Sequence, residues 1–117
     1  MHELSVCEGL LREVERVAAL HDAGAVERIV LRVGALSGVE AELLARAFEV
    51  ARMGTVAERA ELVIESGPVV IKCRACGGSC TVPVNRLLCD YCGDWRVRVV
   101  EGEELLLQSV ELEIRHV

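Results

Sequence analysis

The chain contains two short cysteine knuckles, CRACG at residues 73–77 and CDYCG at residues 89–93. Each knuckle is a CxxC sequence, and twelve residues separate the two pairs. Two such pairs can place four thiolates on one metal ion, and the glycine after each second cysteine allows a tight turn that aims backbone NH groups at sulfur. The spacing therefore predicts a structural zinc site formed by Cys73, Cys76, Cys89 and Cys92.

Two other interpretations use the same cysteines. Iron in a rubredoxin-like electron carrier needs the same four ligands, but such carriers usually surround the metal with aromatic side chains, and only Tyr91 and Trp95 lie near these knuckles. A pair of disulfides requires an oxidising compartment, which nothing in the sequence indicates. Four sulfur ligands leave no coordination position for an activated water, so we expect the metal to stabilise the fold and not to catalyse. Cys7 and Cys80 are expected to be packed free thiols.

The composition limits the classes of partner. The chain has 117 residues, 52% of them hydrophobic, a formal charge of −6 and a single lysine, Lys72. This charge would repel nucleic acid phosphates, and we expect Arg96 and Arg98 to belong to a solvated strand face. The first residues lack the basic and apolar segments of a secretory signal, and no apolar run approaches the roughly 20 residues that span a bilayer. We expect a cytoplasmic protein that binds neither nucleic acid nor membrane.

The hydrophobic pattern predicts an α+β fold: two helices packed on a small three-stranded mixed sheet, with an inserted zinc-ribbon domain. Ser37 and Glu40 match a capping box at the start of the second helix, and Gly24 is a plausible stop for the first. We expect a domain formed by residues 1–68 plus 102–117, and a zinc-ribbon domain at 69–101. The predicted elements are helices at 3–22 and 38–53, main-sheet strands at 25–33, 61–66 and 105–114, and ribbon strands at 79–84 and 95–100.

The amino terminus is a second candidate metal site. The α-amine of Met1, the backbone nitrogen of His2 and the His2 imidazole can close five- and six-membered chelate rings on one ion. Three nitrogens in one plane suit Ni(II) or Cu(II) better than tetrahedral zinc. A fourth ligand must come from elsewhere, such as Glu3 or a partner. The alternative is a frayed, solvated terminus with no metal role.

Several blocks of the sequence together resemble the HypA/HybF nickel-incorporation proteins. These blocks are MHELS at 1–5, GALSGV at 34–39, the segment 55–61, the two knuckles and GEEL at 102–105. The resemblance covers nearly the whole chain. It implies a non-enzymatic nickel metallochaperone for [NiFe]-hydrogenase maturation, with a nickel-binding domain and a zinc-ribbon domain.

The resemblance also implies site residues and partners. His2 would be the principal nickel ligand, with the Met1 amine and the Glu3 region completing the site, and the four knuckle cysteines would hold zinc. The implied partners are the GTPase HypB and the [NiFe]-hydrogenase large subunit precursor, and some family members also serve urease maturation. Asp90 stands where the family usually has proline. No histidine occurs between His21 and His116, so the fourth nickel ligand stays open.

The runner-up interpretation is a zinc-ribbon module that binds protein or nucleic acid and has no nickel role. An enzyme ranks third, because the sequence has no glycine-rich phosphate loop and no nucleophile paired with histidine at a recognisable motif. We expect Ser37 to act as a helix cap and not as a nucleophile.

Overall fold

The computed structural model describes residues 2–113, apart from the side chain of His2. It has two helices and six strands, in the order predicted for the main elements. These are α1 (His2–Leu20), β1 (Ala25–Gly34), α2 (Ala41–Ala51), β2 (Glu61–Gly67), β3 (Val69–Cys73), β4 (Ser79–Val82), β5 (Val97–Glu101) and β6 (Leu105–Glu113).

The strands form two three-stranded sheets, with the orders β2-β1-β6 and β4-β3-β5. The chain divides into two compact units. The first unit comprises Met1–Leu31, Val39–Ile64 and Leu107–Val117, and the second comprises Arg32–Gly38 and Glu65–Leu106. The domain boundaries at 69 and 101 stay a prediction, because a domain is a part of the chain that folds on its own.

The core of the first unit follows the predicted periodicities. One face of α1 is buried at helical spacing, and alternate residues of β1 are buried at strand spacing. Each buried Val, Leu, Ile or Phe side chain contributes about 1.5–3 kcal/mol when it leaves water. The α+β class with a small mixed sheet is confirmed. The buried side chains are Cys7, Leu11, Val14 and Ala18 on α1, Val26, Ile29 and Leu31 on β1, Leu44 and Phe48 on α2, and Ala57 and Ala60 before β2.

Both helix boundaries that rested on local motifs are wrong. The N-cap of α2 is Glu40, which is extended (φ −89°, ψ 124°) and makes no side-chain capping hydrogen bond. Gly38 has φ +81°, so the residues after Ser37 are not helical and the capping box cannot form. The chain leaves α1 at Asp22 (φ 56°) and not at Gly24.

The second unit is built around β3, which pairs antiparallel with both β4 and β5. Val69, Ile71 and Val82 are buried together, and five half-buried side chains pack against them. The sequence analysis did not predict β3, because this five-residue strand follows Pro68 directly and runs into the first knuckle. The five packing side chains are Leu36, Cys80, Leu87, Val97 and Val99.

Candidate metal centre

The two knuckles share one backbone arrangement. In each, the first cysteine donates its NH to the carbonyl five residues later, and the glycine at the fifth position donates its NH back to the cysteine carbonyl. That glycine has a left-handed backbone in both knuckles, with φ 76° at Gly77 and 74° at Gly93. The four bonds are Cys73 N to Gly78 O (2.8 Å), Gly77 N to Cys73 O (3.0 Å), Cys89 N to Asp94 O (3.0 Å) and Gly93 N to Cys89 O (2.8 Å).

These turns aim backbone NH groups at sulfur. Ala75 and Cys76 donate to the Cys73 Sγ at 3.3 and 3.4 Å. The Cys76 NH, with that of Ala75, lowers the pKa of the Cys73 thiol. In the second knuckle the NH groups of Cys92 and Tyr91 lower the pKa of Cys89 to about 7. Since the thiolate is the form that binds metal, both turns favour ligation.

The second knuckle is also held by a carboxylate that the sequence analysis did not identify. The Asp94 Oδ1 accepts the backbone NH of Arg96 at 2.7 Å, and the Arg96 guanidinium donates to both carboxylate oxygens. The side-chain hydrogen bond from Arg96, together with the backbone NH, lowers the pKa of Asp94 to about 2. An aspartate that bonds the NH two residues later is a known turn signal, so the pattern DWR could have been recognised.

The fold brings the four knuckle thiols together. All four Sγ atoms lie within 4.8 Å of one another, and the pairs Cys73–Cys92 and Cys76–Cys89 are each 3.6 Å apart. Four sulfurs around one zinc ion at about 2.3 Å would be about 3.8 Å from each other. The thiols therefore fit a tetrahedral zinc ion. All six cysteines are free, which excludes the disulfide interpretation for this structure.

The remaining two cysteines lie outside this group. The Cys80 Sγ accepts the NH of Asp90 at 3.4 Å, and Cys80 packs against the core of the second unit. A proline at position 90 would lack this NH, so Asp90 allows a hydrogen bond to Cys80 that proline could not make. Cys7 is buried, its thiol donates to the Leu44 carbonyl at 3.4 Å, and burial raises its pKa to about 11. Such a thiol is unreactive.

Of the predicted nickel ligands, the structure describes Glu3 and the backbone of His2. Met1 and the side chain of His2 lie outside the described residues, as does His116. Glu3 is half-buried in the first turn of α1. The assignment of Met1, His2 and Glu3 stays a prediction.

Comparison of the sequence with known proteins shows the family to which this chain belongs. A family model described as hydrogenase/urease nickel incorporation, metallochaperone, HypA, matches residues 1–112. The chain belongs to the HypA family. Over 112 residues it is 47% identical to the hydrogenase maturation factor HypA of Nitrosospira multiformis, covering 96% of this chain and 97% of that protein. It is 40% identical to the factor of the same name from Aquifex aeolicus, with coverage of 97% and 99%.

Solved structures of HypA proteins share the fold. A solution structure of HypA protein superposes with a TM-score of 0.75 at 30% identity, covering 97% of each chain. The solution structure of the nickel metallochaperone HypA from Helicobacter pylori gives a TM-score of 0.71 at 28% identity, covering 94% of this chain and 96% of that one. Among the described residues of this HypA family member, no helix has the length and apolar character needed to cross a membrane.

Proposed function

We propose that this chain is a nickel carrier, which binds Ni(II) at its N-terminus and delivers it to the [NiFe]-hydrogenase large subunit during maturation. One observation carries the proposal: the nickel-incorporation family model extends over 112 residues, from the candidate N-terminal site through both knuckles. The name shared by the relatives, hydrogenase maturation factor, supports a hydrogenase as the acceptor.

The nickel ligands in this proposal are the Met1 amine, the backbone nitrogen and imidazole of His2, and Glu3. The position of α1 supports this set. Because α1 begins at His2, the His2 amide is one of the first NH groups of the helix, which have no partner within it. That nitrogen can lose its proton and bind a metal without breaking a helical hydrogen bond. Glu3 in the first turn adds a negative charge beside the cation.

A permanently bound zinc ion has a separate, structural role in this proposal. Cys73, Cys76, Cys89 and Cys92 would hold it, and its contribution is to cross-link the two knuckles and so stabilise the second unit. The six free cysteines favour a reducing compartment, and we propose the cytoplasm. The proposed partners are the GTPase HypB and the large subunit precursor, with urease maturation as a further destination for the nickel.

The test is the amount of nickel bound by untagged protein that begins at Met1. Wild type, His2→Ala and His21→Ala are compared by elemental analysis at matched zinc content. His21 is the matched control, because it is an exposed histidine beyond the end of α1. We expect His2→Ala to lose most of the bound nickel and His21→Ala to retain it. Equal nickel in His2→Ala and wild type would refute the N-terminal site.

Because amine, amide and imidazole nitrogens must lose protons before they ligate, the proposed nickel site should weaken as pH falls. Acetylation of the Met1 amine should reduce nickel binding as well. If acetylated protein bound nickel as the free amine does, the chelate would be wrong even if His2 were a ligand.

A further inference from the structure

An open cavity of about 540 Å³ borders the first knuckle in the second unit. We call it the basic cavity, because three of its lining residues are Lys72, Arg74 and Arg98. Cys73 and Gly77 complete the lining, and no acidic residue belongs to it. All three cations are exposed, so their charged groups can reach a ligand.

The strand register forces two of these cations together. In the antiparallel pairing of β3 with β5, Lys72 lies directly opposite Arg98. Like charges at directly opposed positions destabilise a sheet. Within residues 2–113, the ion pairs involve none of Lys72, Arg74 and Arg98, whereas Arg96 nearby pairs with Asp94 at 2.8 Å. Among the described residues no carboxylate pairs with these cations, and an anionic ligand would reduce the repulsion.

The charge distribution favours a compact ligand. Residues 69–101 contain five basic and three acidic residues, a formal charge of +2, so the rest of this chain of net charge −6 carries −8. A zinc ion with four thiolates adds −2 and brings the segment close to neutral. Attraction at the basic cavity must then come from its three local cations. A nucleic acid needs a long run of cations, whereas a few carboxylates of a protein segment need only these three.

We propose that the basic cavity is a docking site for an acidic segment of a protein partner, whose carboxylates bind Lys72, Arg74 and Arg98. The site shares no residue with the proposed nickel ligands, so His2→Ala protein should bind an acidic segment as wild type does. Failure of either proposal can therefore be recognised without the other.

The test uses full-length, zinc-loaded protein and fluorescein-labelled hexaglutamate, with binding measured by fluorescence anisotropy at low salt. Arg98→Glu is compared with Arg86→Glu, which makes the same charge change at another exposed arginine of the second unit, outside the cavity. We expect Arg98→Glu to weaken binding about fivefold or more, because an attractive contact becomes repulsive. Arg86→Glu should change binding by less than about twofold, since distant exposed charges are screened.

A second variant separates docking from stability. Lys72→Glu places a carboxylate opposite Arg98 and replaces repulsion by attraction across the two strands. We expect this variant to unfold at a higher temperature than wild type and to bind hexaglutamate at least about fivefold more weakly. A residue that only supported the fold would change both properties in the same direction.

Three outcomes would overturn the proposal. The first is an equal loss of binding in Arg86→Glu and Arg98→Glu, which would mean that only net charge matters. A fluorescein-labelled oligothymidine could bind more tightly than hexaglutamate and be lost in Arg98→Glu, which would make nucleic acid the occupant. Wild type could also fail to bind hexaglutamate at all under conditions where its zinc content and fold are intact.

Discussion

Hydrogen bonds shift the pKa of each thiol in the two knuckles. Cys73 and Cys89 are buried and accept backbone NH groups, whereas Cys76 and Cys92 are exposed. The NH of Asp94 lowers the pKa of Cys92, but hydrogen bonds that the Cys92 thiol donates to Cys73 and the other knuckle sulfurs, together with desolvation, outweigh it and raise the pKa to about 12. Ligation by all four thiolates must therefore displace protons, so zinc loading should release them.

Substitution of single cysteines can distinguish the four proposed zinc ligands from the neighbouring Cys80. Cys73→Ser should lose bound zinc, because three thiolates leave an open and weaker site. Cys80→Ser should retain one zinc per chain, since the Cys80 Sγ lies outside the group and accepts only a backbone NH. Zinc per chain, measured by elemental analysis after dialysis, is the test. Equal zinc in Cys73→Ser and wild type would contradict the assignment.

The Glu104 carboxylate should give the second unit a pH-dependent stability. It accepts the Gly102 NH at 2.7 Å and pairs with Arg32 at 3.4 Å, and these contacts, with the Gly102 NH foremost, lower its pKa below the ordinary value of a glutamate. A carboxylate with a lowered folded-state pKa stabilises above its unfolded pKa, and this is lost as pH falls through the folded value. Glu104→Gln should therefore lower the unfolding temperature at neutral pH and have little effect in acid.

The neighbouring Glu103 is a suitable control, because it is exposed. Glu103→Gln should match wild type in thermal unfolding over the same pH range. A difference between Glu104→Gln and wild type that stayed constant from neutral pH into acid would show that the charge of Glu104 is not responsible.

The C-terminal end of helix α1 forms its turn without a glycine. Ala23 donates its NH to the Ala18 carbonyl at 2.9 Å and Asp22 donates to Ala19 at 3.2 Å, which is the Schellman arrangement with Asp22 at the left-handed position. Aspartate tolerates this conformation better than most residues but less well than glycine. Its negative charge also opposes the helix dipole at this end.

Asp22→Gly should therefore stabilise the protein, by roughly 0.5–1 kcal/mol, because it relieves backbone strain and removes the unfavourable charge. Asp22→Ala removes the charge but keeps a Cβ in the left-handed region, so it separates the two effects and should be less stable than Asp22→Gly. Chemical denaturation of both variants gives the free energies of unfolding. If the two variants were equally stable, strain at Asp22 would not be the cause.

The middle position of β3 explains the organisation of the second unit. Its register places Val69 opposite Val82, and Ile71 opposite both Cys80 and Val99. The strand ends at Cys73, so the ladder that forms the small core also positions the first thiol of the four-thiol group. Strand pairing and ligation of the proposed zinc ion would therefore stabilise each other in this unit.

For the molecule as a whole, we expect the two units to depend differently on zinc. The second unit has a core of three buried aliphatic side chains, which is too small to stabilise it alone, and ligation of zinc can supply on the order of 10 kcal/mol. The first unit has its own buried face on both helices. Removal of zinc by a strong chelator should therefore abolish hydrogen-exchange protection in β3, β4 and β5.

The helical circular dichroism signal, which comes from α1 and α2, should survive the same treatment. Readdition of zinc should restore the protection, which controls for irreversible damage. Loss of the helical signal together with the zinc would contradict the independence of the two units and the predicted division into domains.

Much of this organisation could be predicted from the sequence because the signals are local. The CxxC spacing identified the four thiols that come together, and the periodicity of residues 3–22 and 25–33 identified α1 and β1 with their buried faces. Both signals depend only on the geometry of a few successive residues. The family resemblance, which the family model confirms, was carried by short blocks of the same kind.

Other features were decided only by the tertiary structure. Gly24 and Ser37 were predicted to mark helix ends, but the chain leaves α1 at Asp22 and Glu40 is the N-cap of α2. A helix end depends on which residue adopts the left-handed or extended backbone once the chain has packed. The pairing of Lys72 with Arg98 joins residues far apart in the chain, and no local pattern encodes such a register. Local sequence therefore determined the four-thiol group and the main elements, whereas long-range strand pairing determined the basic cavity.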